Sequence, residues 1–342
     1  MTKSEKLFFE LSQEHKQFPT TEIKSVLKAE KIVFETVESN KDVLVIDIID
    51  APNGFISRLQ ERLAMTFYIN RFLFSCKSDI RILEKKAKKK PVTREGSIAV
   101  KYRNRSRNID SRDIVKCLAS KYTNKRKVDL DNPDVEIRVL ITDDQLYAGV
   151  KEAKVDRKIF EKRKVQHRPF FSPISLHPII ARVLVNLSGV RKDEFLLDPF
   201  CGTGGILIEA GLIGVNVVGS DVERKMVEGC RDTLDFYGIE NYKVFHADIG
   251  DIKNFVDDVD AVVTDFPYGK ATTTVGEPLE RLYRRSFDSI EEALKRDGRA
   301  VVGCANEEML KIGKKFLDLE KIFRYRVHSS LTRYFGVFNK KC

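Results

Sequence analysis

The chain has 342 residues, 42% of them hydrophobic and 33% charged, which suggests two domains at about 150 residues each and excludes a disordered tail or a fibrous repeat. No run approaches the roughly 18 apolar residues of a membrane span. The net charge of +10 is unevenly placed: residues 1–170 carry 37 Lys+Arg against 25 Asp+Glu, and residues 171–342 carry 24 against 26. Such asymmetry fits a nucleic-acid-binding module joined to a neutral enzyme, with a solvated Lys-rich surface as the plainer alternative. The opening MTKSEKLFFELSQEHKQF lacks the apolar stretch and cleavage site of a signal peptide, so a cytoplasmic protein is expected. Six scattered cysteines, none in a CxxC pair, indicate neither a zinc site nor a disulfide framework, and no metal is expected.

From the N-terminus, KLFFEL, IVFETVES and DVLVIDI read as strands, rich in β-branched and aromatic residues at a period near two. A helix-like stretch from Thr20 to Lys31, preceded by Pro19, separates the first two. ISRLQERLAMTFYINRFLF places Leu59, Leu63 and Phe67 at helical spacing, which predicts one helix with these residues in the core. GSIAVKYR then reads as a strand and DSRDIVKCLASKYT as a helix. VEIRVLI and QLYAGV follow as paired strands around Asp143-Asp144. The N-terminal half is therefore α+β.

Charge concentrates between Lys77 and Lys127, with 18 Lys+Arg against 5 Asp+Glu. Lys101, Arg103, Arg105 and Arg107 stand beside Tyr102 and two asparagines. That mixture suits a phosphate backbone and unpaired bases, so these four are the candidate RNA contacts. The individual lysines of LEKKAKKKP, 83–91, read as a solvated loop. Residues 151–172 are charged and lack an extended apolar face, the signature of a linker.

From residue 173 the pattern changes. PISLHPIIARVLVNLSGV predicts a buried helix with Pro178 in its first turn and Gly189 at its end. His177 stands at its start, either as a cap or as part of a cover over a ligand, and Arg182 lies within it with its role open. Strands and helices then alternate through EFLLDPF, GILIEAGLIG, VNVVGSD, ERKMVEGCRDTLDFYG, YKVFHAD, DAVVTDFPYG, RRSFDSIEEALK, GRAVVGCA and EEMLKIGKKF, before a hairpin in YRVHSSLTRYFGVF. This order predicts α/β architecture, a mostly parallel sheet with helices on both faces.

The chemistry sits at the strand ends. The first strand of this region runs into Asp198-Pro199-Phe200-Cys201-Gly202-Thr203-Gly204-Gly205, and three glycines within four residues let backbone approach a ligand at a helix start. The next strand ends in Asp221, placed to accept from both hydroxyls of a ribose. The third ends in Asp248, placed to receive the amino group of an adenine. One strand-tip Asp is commonly a helix cap; three in succession weaken that reading. The fourth strand ends Asp265-Phe266-Pro267-Tyr268-Gly269.

DPFCGTGG, GSD, HAD and D-x-P-Y-G, in this order, resemble S-adenosylmethionine-dependent methyltransferases that modify exocyclic amino groups. With LHP-x-x-AR-x-x-x-NLS, NPDVEIRVLI and HRP-x-x-x-P, the chain resembles the archaeal tRNA (guanine-10-N2)-methyltransferases, which carry an N-terminal THUMP domain. The resemblance implies a Rossmann-like methyltransferase domain over 173–342, preceded by an α+β THUMP-type RNA-binding region. That region divides into a ferredoxin-like subdomain, 1–58, and a THUMP-like domain, 59–152, with a linker over 153–172. It implies S-adenosylmethionine as cofactor, held by Asp198, Phe200, Cys201, Gly202, Thr203, Gly204, Asp221 and Asp248, with the Cys201 side chain serving as packing. It implies further that Asp265, Phe266, Pro267 and Tyr268 form the catalytic tetrad.

The amine of guanine is delocalised into its ring and is a poor nucleophile. The Asp265 carboxylate and the Phe266 carbonyl can accept its N–H groups, Pro267 stiffens the loop, and Tyr268 offers a stacking face. Asp265 has an ordinary pKa in this reading and is a weak base. The target guanosine is expected to leave its stack. The family usually has Pro where Phe266 stands, which puts the shape of the base pocket in question. Tyr283, Arg284 and Arg285 are either RNA contacts or a helix surface.

The expected function is an enzyme making N2-methylguanosine, with N2,N2-dimethylguanosine open as a further product. The partners implied are tRNA and a small zinc-binding activator protein of the kind that docks on related methyltransferase domains. The alternatives are a related enzyme for another tRNA or rRNA guanosine, a DNA adenine methyltransferase, and a non-catalytic RNA-binding protein with a scaffold methyltransferase domain.

Overall fold

A computed structural model describes residues 5–172, 175–256, 258–268, 276–328 and 331–341; Gly269 of the tetrad motif and Pro173 of the HRP-x-x-x-P segment lie outside them. The first half contains β1 (Glu5–Leu11), α1 (Phe18–Ala29), β2 (Val33–Ser39), β3 (Val43–Asp50), α2 (Phe55–Arg62), β4 (Thr66–Cys76), α3 (Ile80–Lys89), β5 (Ile98–Asn104), α4 (Ser111–Tyr122), β6 (Val135–Ile141) and β7 (Leu146–Lys154). The second contains α5 (Lys158–Lys162), α6 (Pro178–Ser188), β8 (Phe195–Asp198), α7 (Gly205–Gly211), β9 (Asn216–Asp221), α8 (Arg224–Phe236), β10 (Tyr242–His246) and β11 (Val259–Asp265). It ends with α9 (Leu279–Ala293), β12 (Leu294–Cys304), α10 (Glu307–Ile312), β13 (Leu317–His328) and β14 (Leu331–Lys340). No helix among the described residues is long and apolar enough to cross a membrane.

The chain forms two compact units. The first comprises residues 1–16, 32–60 and 66–156, and the second residues 17–31, 61–65 and 157–342. One seven-stranded sheet, ordered β2-β3-β1-β4-β7-β6-β5, runs through the first unit and crosses residue 58 without a break. Only its β5–β6 pair is parallel. Strand β6 is buried along its whole length, including Glu136 and Arg138. Burying those charges is tolerable because they are paired: Arg138 reaches Glu10 at 3.1 Å and lies 3.7 Å over the Tyr68 ring, and Lys151 reaches Glu136 at 2.6 Å.

Two expectations in this unit are corrected. The segment predicted as one helix from Ile56 to Phe74 is α2 followed by β4: Leu59 and Leu63 are core as expected, but Phe67 lies on a strand. The alternating aromatic and β-branched residues of TFYINRFLF fit a sheet position between β1 and β7 better than a helix. The lysine run expected as a loop lies largely on α3. The Asp79 side chain caps that helix by accepting from the Arg81 and Ile82 amides, and Leu83 and Ala87, four residues apart, bury one face.

The second unit holds a seven-stranded sheet ordered β10-β9-β8-β11-β12-β14-β13. Its first five strands are parallel, and β14 and β13 close it as an antiparallel hairpin. The register sets Asp198 opposite Gly219, Asp221 opposite His246 and Asp265 opposite Gly303, so three strand-end carboxylates share one edge. Helix α6 is buried at all eleven positions, with His177 capping its start and Gly189 in the left-handed conformation at its end.

Helix α1 belongs to this unit. Phe18 packs on Phe323 at 4.7 Å, and Glu22, fully buried, accepts from the Ala64 and Met65 amides and from Asn186. The segment expected as a linker is docked in the same core. Phe160 is fully buried, and Arg163 bonds the buried Glu209 at 2.6 and 2.9 Å.

Candidate active site

The turn between β8 and α7 is built so that main chain lies against a cleft. Gly202 and Gly204 adopt φ of +49° and +77°, a region that favours glycine. A Cβ on Gly202 would meet nothing within 4 Å, whereas one on Gly204 would strike Cys230 Sγ at 2.8 Å. Gly202 thus borders open space, and Gly204 makes the turn while packing against α8. The Gly202 amide donates to Asp221 Oδ2 at 3.0 Å, tying the loop to β9. Cys201 is buried, and the Cys230 thiol together with burial raises its own thiol pKa well above the usual range, so it packs as a neutral group.

The cleft is lined by Ser172, Ser175, Leu176, Asp198, Phe200, Cys201, Gly202, Thr203, Asp221, Met226 and the tetrad Asp265–Tyr268, among others. Of the residues expected to hold the cofactor, Asp198, Phe200, Cys201, Gly202, Thr203 and Asp221 meet here. Gly204 and Asp248 do not line it. Asp198 takes two bonds on Oδ1, from the Thr264 hydroxyl at 2.7 Å and the Phe200 amide at 3.2 Å. Burial pushes its pKa up to about 7. Asp221 accepts from the Gly202 and Glu223 amides, and burial raises its pKa too. Asp248 accepts from the Gly250 amide and is gripped by Arg285 of α9, which also binds Glu277.

At the far side, Asp265 ends β11. Its Oδ1 accepts the Tyr268 hydroxyl at 2.5 Å, and Arg333 of β14 lies 3.6 Å from Oδ2. Burial raises the Asp265 pKa, while Arg333 and then Tyr268 oppose the rise. Phe266 explains the departure from Pro. Its amide donates to Gly303 O at 2.8 Å, a bond Pro cannot make. Its ring, 2% exposed, packs on Phe200, Tyr283 and Phe287 at 5.4, 4.7 and 5.3 Å. The Tyr283 hydroxyl holds Pro267 O at 2.9 Å. An aromatic nest and two hydrogen bonds therefore fix a loop that a second ring would otherwise stiffen.

Several contributors escaped the sequence reading. Thr264 and Arg333 were passed over because a Thr inside a strand and an Arg on a closing hairpin carry no motif. Gly303 leaves room for Asp265: a Cβ there would stand 2.4 Å from Oδ1. His177 is a cap, its Nδ1 accepting from the Ile179 amide at 3.2 Å. Arg182 is a core residue, bound to Glu209 at 3.0 Å and Glu61 O at 2.8 Å. Arg284 pairs with Glu280 along its own helix.

In the first unit the four candidate RNA contacts fare differently. Lys101 lies 3.6 Å from Glu136, Arg103 lies 2.9 Å from Glu10 and 4.3 Å over the Phe67 ring, and Arg105, with its side chain 10% exposed, bonds Asp42 at 2.8 Å. Arg107 is exposed. Lys85, Lys86, Lys88, Lys89 and Lys90 on and beside α3 are exposed as well.

A parallel sheet whose glycine turn and strand-end acids face a D-F-P-Y loop defines a Rossmann-like methyltransferase of the kind that acts on exocyclic amines. Residues 166–334 match the RMKL-like methyltransferase domain, and residues 81–151 match the THUMP domain. The chain is 37% identical, over 96% of its length and 98% of the relative's, to the tRNA (guanine(10)-N2)-dimethyltransferase of Methanothermobacter thermautotrophicus. It is 33% identical to the enzyme of that name from Methanocaldococcus jannaschii over 69% of this chain and 67% of that one. The crystal structure of TrmN from Thermus thermophilus shares the fold, with a TM-score of 0.57 and 20% identity over 98% of this chain and all of that one. SMU.472 complexed with SAH does likewise, with a TM-score of 0.56 and 15% identity over the full length of both chains. The chain belongs to the tRNA (guanine(10)-N2)-dimethyltransferase family.

Proposed function

We propose that this chain transfers methyl groups from S-adenosylmethionine to the exocyclic N2 of guanosine 10 in tRNA, giving N2-methylguanosine and then N2,N2-dimethylguanosine. The carrying observation is Asp265, a half-buried strand-end carboxylate across the cleft from the glycine turn. The cleft suits the cofactor: Gly202 borders space where a Cβ would meet nothing, and Asp198 and Asp221 present acceptors to a ligand bearing ammonium and hydroxyl donors. When bound, the sulfonium supplies an electrophilic methyl whose bond to sulfur breaks, leaving the electron pair on sulfur as nitrogen takes the carbon.

The chain's own residues do the rest by placement. Asp198 and Asp221 orient the amino-acid and ribose ends. Asp265 and the Phe266 carbonyl accept the two N–H groups of the guanine amine, which draws its lone pair out of the ring. Burial makes Asp265 a better base than its ordinary pKa allows, so it takes the departing proton. Tyr268 gives the extruded base a stacking face, and the N–H that survives the first transfer returns to Asp265 for the second. The first unit, which carries the THUMP match, grips the tRNA, with Lys101, Arg103, Arg105 and Arg107 near its contact surface.

The test is transfer of labelled methyl to an unmodified tRNA transcript, followed by nucleoside analysis and mapping. Dimethylated guanosine at position 10 supports the reading, and product at another guanosine keeps the chemistry but discards the position. Running the assay with and without a small zinc-binding activator decides that partner, since a rise in rate assigns it and full activity alone removes it.

A further inference from the structure

We propose that Arg333 is a positioning residue that keeps the Asp265 carboxylate ionised and turned toward the amine, an inference that rests on the catalytic reading of Asp265. Arg333 sits on β14 in line with Phe335 and Val337, which are apolar and buried, and it is itself only 6% exposed. A buried guanidinium on an apolar face is costly unless a carboxylate answers it. The carboxylate that does so among the described residues is Asp265, whose Oδ2 lies 3.6 Å from Nη2. The Arg333 Nε has no hydrogen-bond partner among the described residues. The guanidinium also lies 5.6 Å from the centroid of the Tyr268 ring, within cation–π range, and Tyr268 donates to Oδ1 of the same carboxylate. One cation thus touches both the acceptor and the stacking face of the proposed base site.

The need for it follows from what surrounds Asp265. Asp198 on β8 has its pKa pushed up to about 7 by burial, and the Tyr268 hydroxyl on its own loop, Tyr283 of α9 and the Cys304 thiol of β12 are held neutral by raised pKa values, so none of these groups offers Asp265 a countercharge. Burial favours a protonated Asp265, and a protonated carboxyl cannot accept from the amine on both oxygens or take its proton. Arg333 supplies the one positive charge facing it among the described residues. Gly303 completes the cradle from the other side, since any side chain there would drive Oδ1 out of place.

The experiment compares Arg333→Lys, Arg333→Gln and Arg333→Met with the parent chain, reading kcat for methyl transfer from pH 6 to 9 together with cofactor affinity and circular dichroism. In the Met and Gln variants the acid limb of kcat is expected to move up by about one pH unit. Their rate should fall about tenfold at the parent limb and recover at high pH. The Lys variant keeps the parent limb. Cofactor affinity stays the same in all three, because Arg333 does not line the cleft. A pH-independent rate loss in a folded Gln variant, or a parent-like profile, overturns the proposal. Asp265→Asn separates the two levels: if it is inactive while the Arg333 profiles do not move, only the positioning role fails, and if it transfers methyl at the parent rate, the catalytic reading falls with it.

Discussion

At the scale of single residues, the acids of the cleft do different work because their surroundings differ. Asp265→Ala is expected to abolish methyl transfer and leave cofactor binding within about twofold, because in the proposed mechanism Asp265 meets the methyl acceptor and not the donor; equal loss of both, read by isothermal titration, would remove its catalytic role. Asp198, raised by burial to about 7, favours its protonated form in the folded chain. Its contribution to stability is therefore fully present below about pH 4 and lost as pH rises through about 7. A bound cation or donor needs the ionised form, so cofactor binding near neutrality is expected to release a proton and to weaken as pH falls through about 7. Calorimetry in two buffers of different ionisation enthalpy checks this, and a buffer-independent heat would contradict it. Asp198, Asp221 and Asp265 were all legible because strand-end acids recur at a spacing the sequence displays. Arg333 and Gly303 were not, because they act through tertiary proximity from strands that carry no motif. Phe266→Pro, which restores the family's usual residue, is expected to destabilise this chain by about 3 kcal/mol or more. It removes both the bond to Gly303 O and a buried ring, and thermal melting reads the loss.

At the scale of elements, two helices carry information that composition hides. Helix α3 turns a run of lysines into an ordered cationic face, because Asp79 caps it and Leu83 and Ala87 dock it. Asp79→Ala is expected to cost about 1 kcal/mol of stability in denaturant unfolding. The sequence suggested a loop there because one Leu and one Ala among the cations give a weak apolar period. Helix α9 reaches across to the third strand end: Arg285 binds Asp248 and Glu277 together. If Asp248 serves the adenine, Arg285 competes for it, and Arg285→Ala is expected to tighten cofactor binding while Asp248→Asn weakens it. No change in either variant would take Asp248 out of the site. The helix-to-strand break after α2 was hidden for a related reason, since Leu59, Leu63 and Phe67 satisfy a helical period by coincidence across the break.

At the scale of the entire chain, the first unit carries 27 Lys+Arg against 21 Asp+Glu and the second 34 against 30, so the excess positive charge of the first half is shared between them, and much of the Lys101–Arg107 cluster is answered by Glu136, Glu10 and Asp42. Arg105→Ala is therefore expected to destabilise that unit by about 3 kcal/mol, leaving two buried carboxylates short of a partner. Neutralising Lys88, Lys89, Lys90 and Arg107 should leave stability unchanged and reduce the salt slope of tRNA binding by about 0.7–0.9 for each phosphate that no longer meets a cation. An unchanged slope would move the RNA surface elsewhere. The parallel sheet was legible from alternating elements. The interleaving of the chain was not, because helix α1 looks like any amphipathic helix of the half in which it is written. That interleaving bears on how the protein is made. During synthesis α1 emerges early, with Phe18 lacking Phe323 and Glu22 lacking Asn186, so the catalytic fold cannot close until the last strands leave the ribosome. A fragment beginning at residue 157 is accordingly expected to be poorly soluble alone and to recover when co-expressed with the first 65 residues.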